Sequence, residues 1–287
     1  MTERVTWRDV LADAAVRLSN PNEARWLCEH ACGLDGAEFA SALDETPTTA
    51  MMASLDAMLV RRLVGEPLQY VMSRWAFRHL DLFVDKRVLI PRPETELAVE
   101  HALSMLANLD GFARVVDLGT GSGAIGLAIA SESHPREVEV WLTDESSDAL
   151  DVARANVATL GRHGSRVKIA QGSWWSALPE DLVGTIDVAV CNPPYIAIGD
   201  PEVAVDVLEW EPHTALFADD DGFADLQLVI AGAPRWLRAG GSLILEIGHR
   251  QAARVTEAMI AAGFEDVATH RDLAGRDRFV LGRLSVR

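Results

Sequence analysis

The sequence predicts an α/β protein in which a doubly wound, mainly parallel β-sheet follows a small bundle of helices. Apolar residues recur at helical spacing up to about residue 67, and an alternating segment typical of a β-hairpin follows. Beyond residue 111, short segments rich in Val, Ile and Leu alternate with helical segments, the pattern of a sheet covered by helices. A chain of 287 residues with 49% hydrophobic residues can bury such a core.

The first part of the chain is predicted to be helical. Apolar positions recur every three to four residues, for example in the stretches 10–18 and 55–63. Pro21 suits the first position of a helix after Asn20, and Gly33 suits its end. We therefore expect residues 1–70 to form an N-terminal helical domain.

A β-hairpin is predicted between the two parts of the chain. Apolar and charged residues alternate from Trp75 to Ile90, which favours two strands that turn near Asp85–Lys86. We expect residues 71–92 to act as a hairpin linker before a second domain at 93–287.

The second domain is predicted to contain a parallel sheet. Helical segments such as 147–160 and 223–237 separate most of its candidate strands. The last two candidate strands, EDVATHRDL and DRFVLGRL, follow one another across a short turn, so we expect them to pair antiparallel at the edge. The candidates for parallel strands are ARVVDL, VEVWLTD, RVKIAQ, IDVAVCN and SLILEIG.

Charge and composition limit the function classes. The formal net charge is −17, and most of the acidic excess lies after residue 90, which argues against direct binding of nucleic acid. No apolar run reaches the roughly 18 to 20 residues of a membrane span, and the first residues are too polar for a signal peptide. We therefore expect a cytoplasmic protein without a membrane partner. Cys28, Cys32 and Cys191 are interpreted as small hydrophobic residues, and no metal site is expected.

A glycine-rich loop follows the first candidate strand of this sheet. In VVDLGTGSGAIGLAIA, Gly119, Gly121 and Gly123 permit a sharp turn and a close approach of a ligand to the backbone. Asp144 ends the next strand, where a carboxylate can bind the two hydroxyls of a ribose. The same spacing satisfies the dinucleotide fingerprint, so the loop alone fits a nicotinamide cofactor and S-adenosylmethionine equally, and a purely structural turn is a third interpretation.

A second motif, CNPPYIA, lies at the carboxyl end of the strand IDVAV. An amide or exocyclic amine nitrogen is a poor nucleophile, because its lone pair is delocalised. The side-chain oxygen of Asn192 and the carbonyl of Pro193 can accept its two N–H bonds, while the Tyr195 ring covers its flat face. Pro193 and Pro194 keep this backbone rigid. The alternative is an ordinary proline-rich turn, but the combination with the glycine loop favours methyl transfer to a planar nitrogen.

The chain resembles the peptide chain release factor glutamine methyltransferases, the PrmC/HemK family. The resemblance extends over most of the chain. The motifs that carry it are GEPLQY (65–70), LIPRPETE (89–96), VVDLGTGSGAI (115–125), CNPPYIA (191–197), LEIG (245–248) and DLAGRDR (272–278).

The resemblance implies a fold and a reaction. It implies a seven-stranded, Rossmann-like class I methyltransferase sheet with a helical N-terminal domain that recognises the substrate. The implied reaction transfers a methyl group from S-adenosylmethionine to N5 of the glutamine in the Gly-Gly-Gln loop of class I release factors. It leaves S-adenosylhomocysteine and modulates translation termination. We expect the protein to act as a monomer.

The resemblance also assigns residue roles. Asn192, Pro193, Pro194 and Tyr195 would hold the substrate amide, and Asn192, Pro193 and Tyr195 would be catalytic. Ser173 replaces an acid that the family often carries before the tryptophan, and Ser73 replaces a usual glycine. The implied cofactor contacts are Gly119, Thr120, Gly121, Ser122, Gly123, Asp144 on the ribose, Trp174 near the adenine, and Asn192 beside the methyl group.

Four other interpretations remain at this level. A glutamine methyltransferase for a ribosomal protein carries similar motifs, and an adenine-N6 methyltransferase would suit the same tetrapeptide. The adenine enzyme must unstack a base and bind a polyanion, which the acidic charge opposes. A nicotinamide-dependent oxidoreductase is favoured only by the glycine loop, and a non-catalytic binding module would not need Asn192 and Asp144. Elsewhere, Trp175 is predicted to be a core aromatic and Asp219–Asp221 a solvated loop and helix cap.

Overall fold

The computed structural model describes residues 4–133 and 137–286. The chain divides into two compact units, residues 1–74 and residues 75–287. None of the helices in these described ranges is long and apolar enough to cross a membrane.

The described part of the first unit is helical, as predicted. Its second helix begins at Pro21, and the Asn20 side chain accepts the N–H groups of Asn22 and Glu23 at 3.1 and 3.3 Å. Gly33 ends that helix in the left-handed region with φ 72°. The helices are α1 (Trp7–Leu18), α2 (Pro21–Cys32), α3 (Gly36–Ser41), α4 (Thr49–Leu63) and α5 (Leu68–Met72).

These helices enclose a core of their own. Leu27, Phe39 and Leu55 are buried there, and the ring of Trp7 packs edge-on against Phe39 with centroids 5.9 Å apart. Cys28 belongs to the same cluster, and burial raises the pKa of its thiol to about 12. Cys28 therefore acts as a small apolar residue, as the sequence suggested.

The hairpin is shorter than expected. Strands β1 (Trp75–Phe77) and β2 (Leu80–Leu82) pair antiparallel. The predicted turn near Asp85–Lys86 is wrong, because the chain reverses at Arg78, which has φ 51°. The carbonyl of Asp85 instead accepts the N–H of Val88 at 3.1 Å, so the later part of the alternating segment forms a separate turn rather than a strand.

The rest of the second unit alternates strands and helices. Further strands are β3 (Ala113–Leu118), β4 (Val138–Asp144), β5 (Val167–Gln171), β6 (Ile186–Cys191), β7 (Ile196–Ala197), β8 (Phe217–Ala218), β9 (Leu237–Glu246), β10 (Phe264–Arg271) and β11 (Asp277–Leu284). Helices are α6 (Glu96–Ala107), α7 (Ala124–Glu132), α8 (Ser147–Thr159), α9 (Val205–Trp210), α10 (Asp219–Gly222), α11 (Ala224–Trp236) and α12 (Ala252–Ala261).

Seven of the described strands form one sheet in the order β10-β11-β9-β6-β3-β4-β5. The pairs from β9 to β5 are parallel, whereas β11 is antiparallel to β9 and β10. This confirms the predicted α/β class and the antiparallel pair at the edge. The final strand, β11, lies between β9 and β10, so the edge strand is β10.

The side chains between the sheet and α11 illustrate the core. Trp175 is buried, its Nε1 donates to the Val229 carbonyl at 2.8 Å, and its ring stacks on Trp236. The predicted core role of Trp175 is confirmed. The run Asp219–Asp221 is exposed in the short helix α10, as expected for a solvated segment.

The strand order places the ends of β3 and β6 side by side. The chain runs outward from β3 to β5 and then returns to β6 on the other side of β3. Leu118 at the end of β3 is the register partner of Cys191 at the end of β6. Open α/β sheets bind ligands at the carboxyl ends of strands where the order reverses in this way. The glycine loop and the Asn192 motif therefore meet at this point.

Candidate active site

A cavity of about 510 Å³ opens at the glycine loop. It is lined by Gly119 and Gly121 after β3, by Asp144 at the end of β4, by Trp174 and by Asn192. Gly119 and Gly121 have φ of 69° and 54°, a region that side chains rarely adopt. A Cβ at Gly119 would lie 3.1 Å from the Trp174 ring, so glycine leaves the room between loop and ring.

Asp144 connects the glycine loop to the next helix. Its Oδ2 accepts the backbone N–H of Gly121 and its Oδ1 accepts that of Ser146, each at 2.9 Å. Burial raises the pKa of Asp144, and the two backbone hydrogen bonds act in the opposite direction. Each carboxylate oxygen has a second lone pair, so Asp144 can accept further hydroxyl groups in the cavity.

Asp117 is a residue of this site that sequence reasoning missed. It is fully buried in β3, and its Oδ2 accepts the Thr120 hydroxyl at 2.6 Å and the Gly126 N–H at 2.9 Å. Burial raises its pKa to about 6. The available signal was the acid inside VVDLGTG. Thr120 and Ser122 are buried within the loop, and Gly123 precedes the first residue of α7.

Trp174 closes one side of the cavity. It has a left-handed backbone with φ 46°, and its Nε1 donates to Asp225 at 3.2 Å. Ser173 also lines the cavity. Ser173 occupies the position before Trp174 where the family often carries an acid. A carboxylate still reaches the Trp174 side chain, because Asp225 in α11 accepts its Nε1–H.

A second cavity of about 630 Å³ lies beyond Asn192. Pro193 and Tyr195 line it, whereas Pro194 lines the first cavity. Leu89, Asn192 and Ala215 line both cavities. Asn192 therefore lies between two adjoining cavities and borders both.

The second cavity carries positive side chains, most of them paired with acids. Arg92 pairs with Glu211 at 2.6 Å, and Arg250 and Arg254 pair with acids at 2.5 Å each. Pairing reduces the field that these cations exert on an approaching partner. The arginines that line the cavity are Arg92, Arg250, Arg254, Arg276 and Arg278.

A buried polar network lies behind Asn192. The Thr95 hydroxyl donates to Oε2 of Glu246 at 2.7 Å, and the Tyr195 hydroxyl donates to Oε1 at 3.3 Å. Arg278 donates to the Tyr195 oxygen at 3.2 Å, and Nδ2 of Asn192 lies 3.5 Å from the Thr95 oxygen. Burial raises the pKa of Glu246 to about 7 and also raises that of Tyr195.

Sequence reasoning named the motifs of this network without assigning roles to Thr95, Glu246 or Arg278. These residues lie in LIPRPETE, LEIG and DLAGRDR, which are far apart along the chain. The fold brings them together because β9 and β11 are neighbouring strands and Thr95, just before α6, bonds to Glu246 at the end of β9.

Glu211 holds a segment that borders both cavities. Its carboxylate is buried and accepts the Ile90 N–H at 3.1 Å and the Arg92 guanidinium at 2.6 Å. Leu89, which lines both cavities, immediately precedes the tethered Ile90.

The described residues contain no group of three or more His, Cys, Asp or Glu side chains that could hold a metal ion. The groups available at the cavities are amide and carboxylate oxygens, backbone carbonyls and aromatic rings. Groups of this kind can orient a planar nitrogen and a ribose.

Known proteins share both units of this chain. Residues 97–209 match the family Methyltransferase small domain, and residues 6–72 match the PrmC N-terminal domain. The release factor glutamine methyltransferase of Burkholderia pseudomallei (strain K96243) is 42% identical over 267 residues, which cover 91% of each chain. That of Escherichia coli (strain K12) is 39% identical over 277 residues, which cover 96% of each chain. The chain belongs to the release factor glutamine methyltransferase family.

Membership in this family confirms the resemblance drawn from the motifs and the prediction that the chain is a methyltransferase. It does not support the nicotinamide-dependent oxidoreductase. Among solved structures, a methyltransferase from Pyrococcus furiosus superimposes with a TM-score of 0.51 at 16% identity and covers 83% of this chain and 100% of that one. This likeness concerns the fold alone and agrees with a class I methyltransferase sheet.

Proposed function

We propose that this protein transfers a methyl group from S-adenosylmethionine to the side-chain amide nitrogen of the glutamine in the Gly-Gly-Gln loop of class I release factors. The observation that carries the proposal is the position of Asn192 at the junction of two cavities. Family membership supports the same substrate, because the relatives are named for it.

The first cavity fits the cofactor. Gly119 and Gly121 leave its backbone accessible, Asp144 offers carboxylate oxygens for the ribose hydroxyls, and Trp174 offers a flat apolar surface for the adenine. Such a site leaves the sulfonium methyl near Asn192. When bound, S-adenosylmethionine supplies an electrophilic methyl group and leaves as S-adenosylhomocysteine.

The second cavity fits the substrate amide. Oδ1 of Asn192 and the Pro193 carbonyl accept the two N–H bonds of the glutamine, and the Tyr195 ring lies against its flat face. These contacts fix the nitrogen and place its electron density toward the methyl carbon. Pro193 and Pro194 limit the freedom of the backbone that holds them.

The reaction is an in-line displacement. A nitrogen–carbon bond forms as the sulfur–carbon bond breaks, and the methylated nitrogen then loses its extra proton to water. The protein contributes orientation and exclusion of water, so no general base is required before methyl transfer. Asn192, Pro193 and Tyr195 are the catalytic residues of this proposal.

The helical unit would recognise a second surface of the release factor. Residues 1–70 are assigned this role, and residues 71–92, which contain the short β1–β2 hairpin, lead to residues 93–287, which are assigned the methyl transfer. We expect a monomer that acts in the cytoplasm and binds protein rather than nucleic acid. Hydrogen exchange of the full chain tests this role: added release factor should protect amides within residues 4–74 as well as those around Tyr195. Protection confined to the transferase unit would remove the helical unit from recognition.

Mass spectrometry tests the reaction. Purified release factor is incubated with the protein and S-adenosylmethionine, and the Gly-Gly-Gln peptide is fragmented. A single methyl group on the glutamine is expected. A release factor with Gln→Asn in that loop is the matched control and should stay unmodified. Methyl transfer to a ribosomal protein or to an adenine, with none to release factor, would contradict the proposal.

A further inference from the structure

The side chain of Asn192 has two ends of similar shape and opposite chemistry. Its oxygen accepts a hydrogen bond, whereas its nitrogen donates, so only one orientation can hold the N–H groups of a substrate amide. A 180° rotation of the Asn192 amide would place its own NH2 group, which only donates, opposite the NH2 group of the substrate. Catalysis at Asn192 therefore requires a neighbour that distinguishes the two ends.

Thr95 is the neighbour in position to do so. Its side chain is buried, with 3% of the residue exposed, and its oxygen lies 3.5 Å from Nδ2 of Asn192, at the outer limit of a hydrogen bond. A threonine hydroxyl has one proton and two lone pairs. If its proton is used elsewhere, the hydroxyl can only accept from Asn192, which fixes nitrogen inward and oxygen outward.

Glu246 uses that proton. Its Oε2 accepts the Thr95 hydroxyl at 2.7 Å, and an ionised carboxylate has no proton of its own to donate in return. Glu246 has 1% of its surface exposed at the end of β9, so water does not compete for the bond. The order of donors therefore runs from Asn192 to Thr95 to Glu246, and a change at Glu246 reaches Asn192 through one hydroxyl group.

We propose that Thr95 is a positioning residue, held by Glu246, that orients the Asn192 amide so that its oxygen faces the substrate nitrogen. The inference rests on the proposed role of Asn192. It adds Thr95 and Glu246 to the proposed site as residues that do not themselves touch the reacting atoms. We expect the 3.5 Å contact to shorten when substrate occupies the site, because hydrogen bonds in catalytic sites often tighten only in the substrate complex.

The charge of Glu246 makes the orientation of the Asn192 amide sensitive to pH. Protonated Glu246 can donate to Thr95, which frees the threonine proton to donate to Asn192 and favours the wrong amide orientation. The side chains that act on the charge of the Glu246 carboxyl group are Thr95 and Glu94 before α6, Tyr195 after β6, and Arg278 on β11. Burial raises the Glu246 pKa to about 7, while Thr95 and Arg278 act in the opposite direction. The ionised form is active, so turnover falls as the pH drops through about 7.

Substitution of Thr95 tests the proposal directly. Thr95→Val keeps the shape and removes the hydroxyl, and kcat for release factor methylation should fall about 10- to 100-fold. The KM for release factor and the affinity for S-adenosylhomocysteine should stay within about threefold, because the site still forms. Thr95→Ser restores the hydroxyl and should recover most of kcat. Normal turnover by Thr95→Val, or an equal loss of cofactor affinity, would overturn the proposal.

A matched control measures the general effect of removing a threonine hydroxyl. Thr185 precedes β6 and its hydroxyl donates to the Leu182 carbonyl at 2.8 Å, outside the residues that line either cavity. Thr185→Val should leave kcat unchanged.

If Thr95→Val does not fold, Thr95→Ser still tests the proposal. The serine variant keeps the hydroxyl, so a loss of rate at constant stability would contradict a role carried by that hydroxyl.

The pH profile gives a second readout. Wild-type kcat should fall about tenfold per pH unit below pH 7, whereas Glu246→Gln should be slow at every pH, without that limb. Two results would show that Glu246 does not orient Asn192 through Thr95: a wild-type kcat that stays constant from about pH 6 to 8, or the same loss of kcat at low pH in Glu246→Gln. Failure of the wild-type protein to methylate release factor at any pH would instead reject the proposed function.

Discussion

The Asp144 carboxylate accepts the backbone N–H of Gly121, with 2.9 Å between Oδ2 and N. The two residues lie 23 positions apart, Asp144 at the end of β4 and Gly121 in the loop after the neighbouring strand β3, and both line the first cavity. The acid that would bind the ribose therefore also holds the glycine loop in place. A substitution at Asp144 should therefore lower cofactor affinity in two ways, by removing the contact to the ribose and by releasing the glycine loop.

Asp144→Ala should weaken binding of S-adenosylmethionine by about 10- to 100-fold, because a charged acceptor and a loop contact are lost together. Isothermal titration calorimetry with S-adenosylmethionine and with its product measures this change. Asp144→Asn keeps an acceptor for the Gly121 N–H, so its affinity for S-adenosylmethionine should fall less than that of Asp144→Ala. Asp151→Ala on the exposed face of α8 is the control and should bind as wild type does. Equal affinities for Asp144→Ala and Asp151→Ala would exclude Asp144 from the cofactor site.

Asn192→Ala should separate binding from chemistry. Its side chain borders the cofactor cavity but is assigned to the substrate amide, so cofactor affinity should stay within a few fold. Turnover should fall about 100- to 1,000-fold, as for loss of one oriented polar group in other enzymes. Single-turnover methylation of release factor measures the rate. Asn108→Ala, an exposed asparagine after α6, is the matched control. Near-normal turnover by Asn192→Ala would reject the assignment.

Gly222 limits the position of the tetrapeptide from a distant part of the chain. It has φ 80°, and a Cβ there would lie 2.2 Å from the carbonyl oxygen of Tyr195. Gly222→Ala should therefore displace Tyr195 and reduce methylation much more than it reduces cofactor affinity. Gly199→Ala is the control, since Gly199 has φ 83° but no atom within 4 Å of its Cβ. The control carries the same backbone strain of about 1 kcal/mol without the collision. Equal activity of the two variants would show that the Tyr195 contact does not matter.

Glu211→Ala should destabilise the protein and weaken substrate binding. The substitution leaves the Ile90 N–H without its acceptor and the Arg92 guanidinium without its partner. A buried, unpaired N–H costs about 1 to 3 kcal/mol, which urea unfolding can measure. The KM for release factor should rise, because Leu89 beside this tether lines the second cavity. Glu209→Ala, exposed and two residues away, should match wild type in stability and KM.

Local patterns in the sequence were sufficient for the elements and for the motifs. The strands ARVVDL and VEVWLTD coincide with β3 and β4, because buried parallel strands require continuous apolar runs. The start of α2 at Pro21 and its end at Gly33 follow from backbone preferences that act within a few residues. The meeting of Gly119 and Asn192 also follows, because parallel strands present their carboxyl ends at one edge.

The hairpin shows where local patterns fail. Alternating apolar residues from Trp75 to Ile90 suited two longer strands, but alternation records burial and does not identify a pairing partner. The strands end at Leu82, and Asp85 forms a local turn. Tertiary packing of the later residues, rather than a ladder, accounts for their burial.

The sequence by itself determined the class of fold and the family, because these depend on periodicity and on short motifs, and the same motifs predict the residues that carry the chemistry. Only the tertiary structure decided how the motifs act on one another. Thr95 reaches Glu246 across 151 positions and Ile90 reaches Glu211 across 121. No spacing rule relates residues so far apart, since their contact depends on the strand order and on packing of the whole sheet. The position of Asn192 between two cavities, and the orientation proposed for its amide, depend on those long-range contacts.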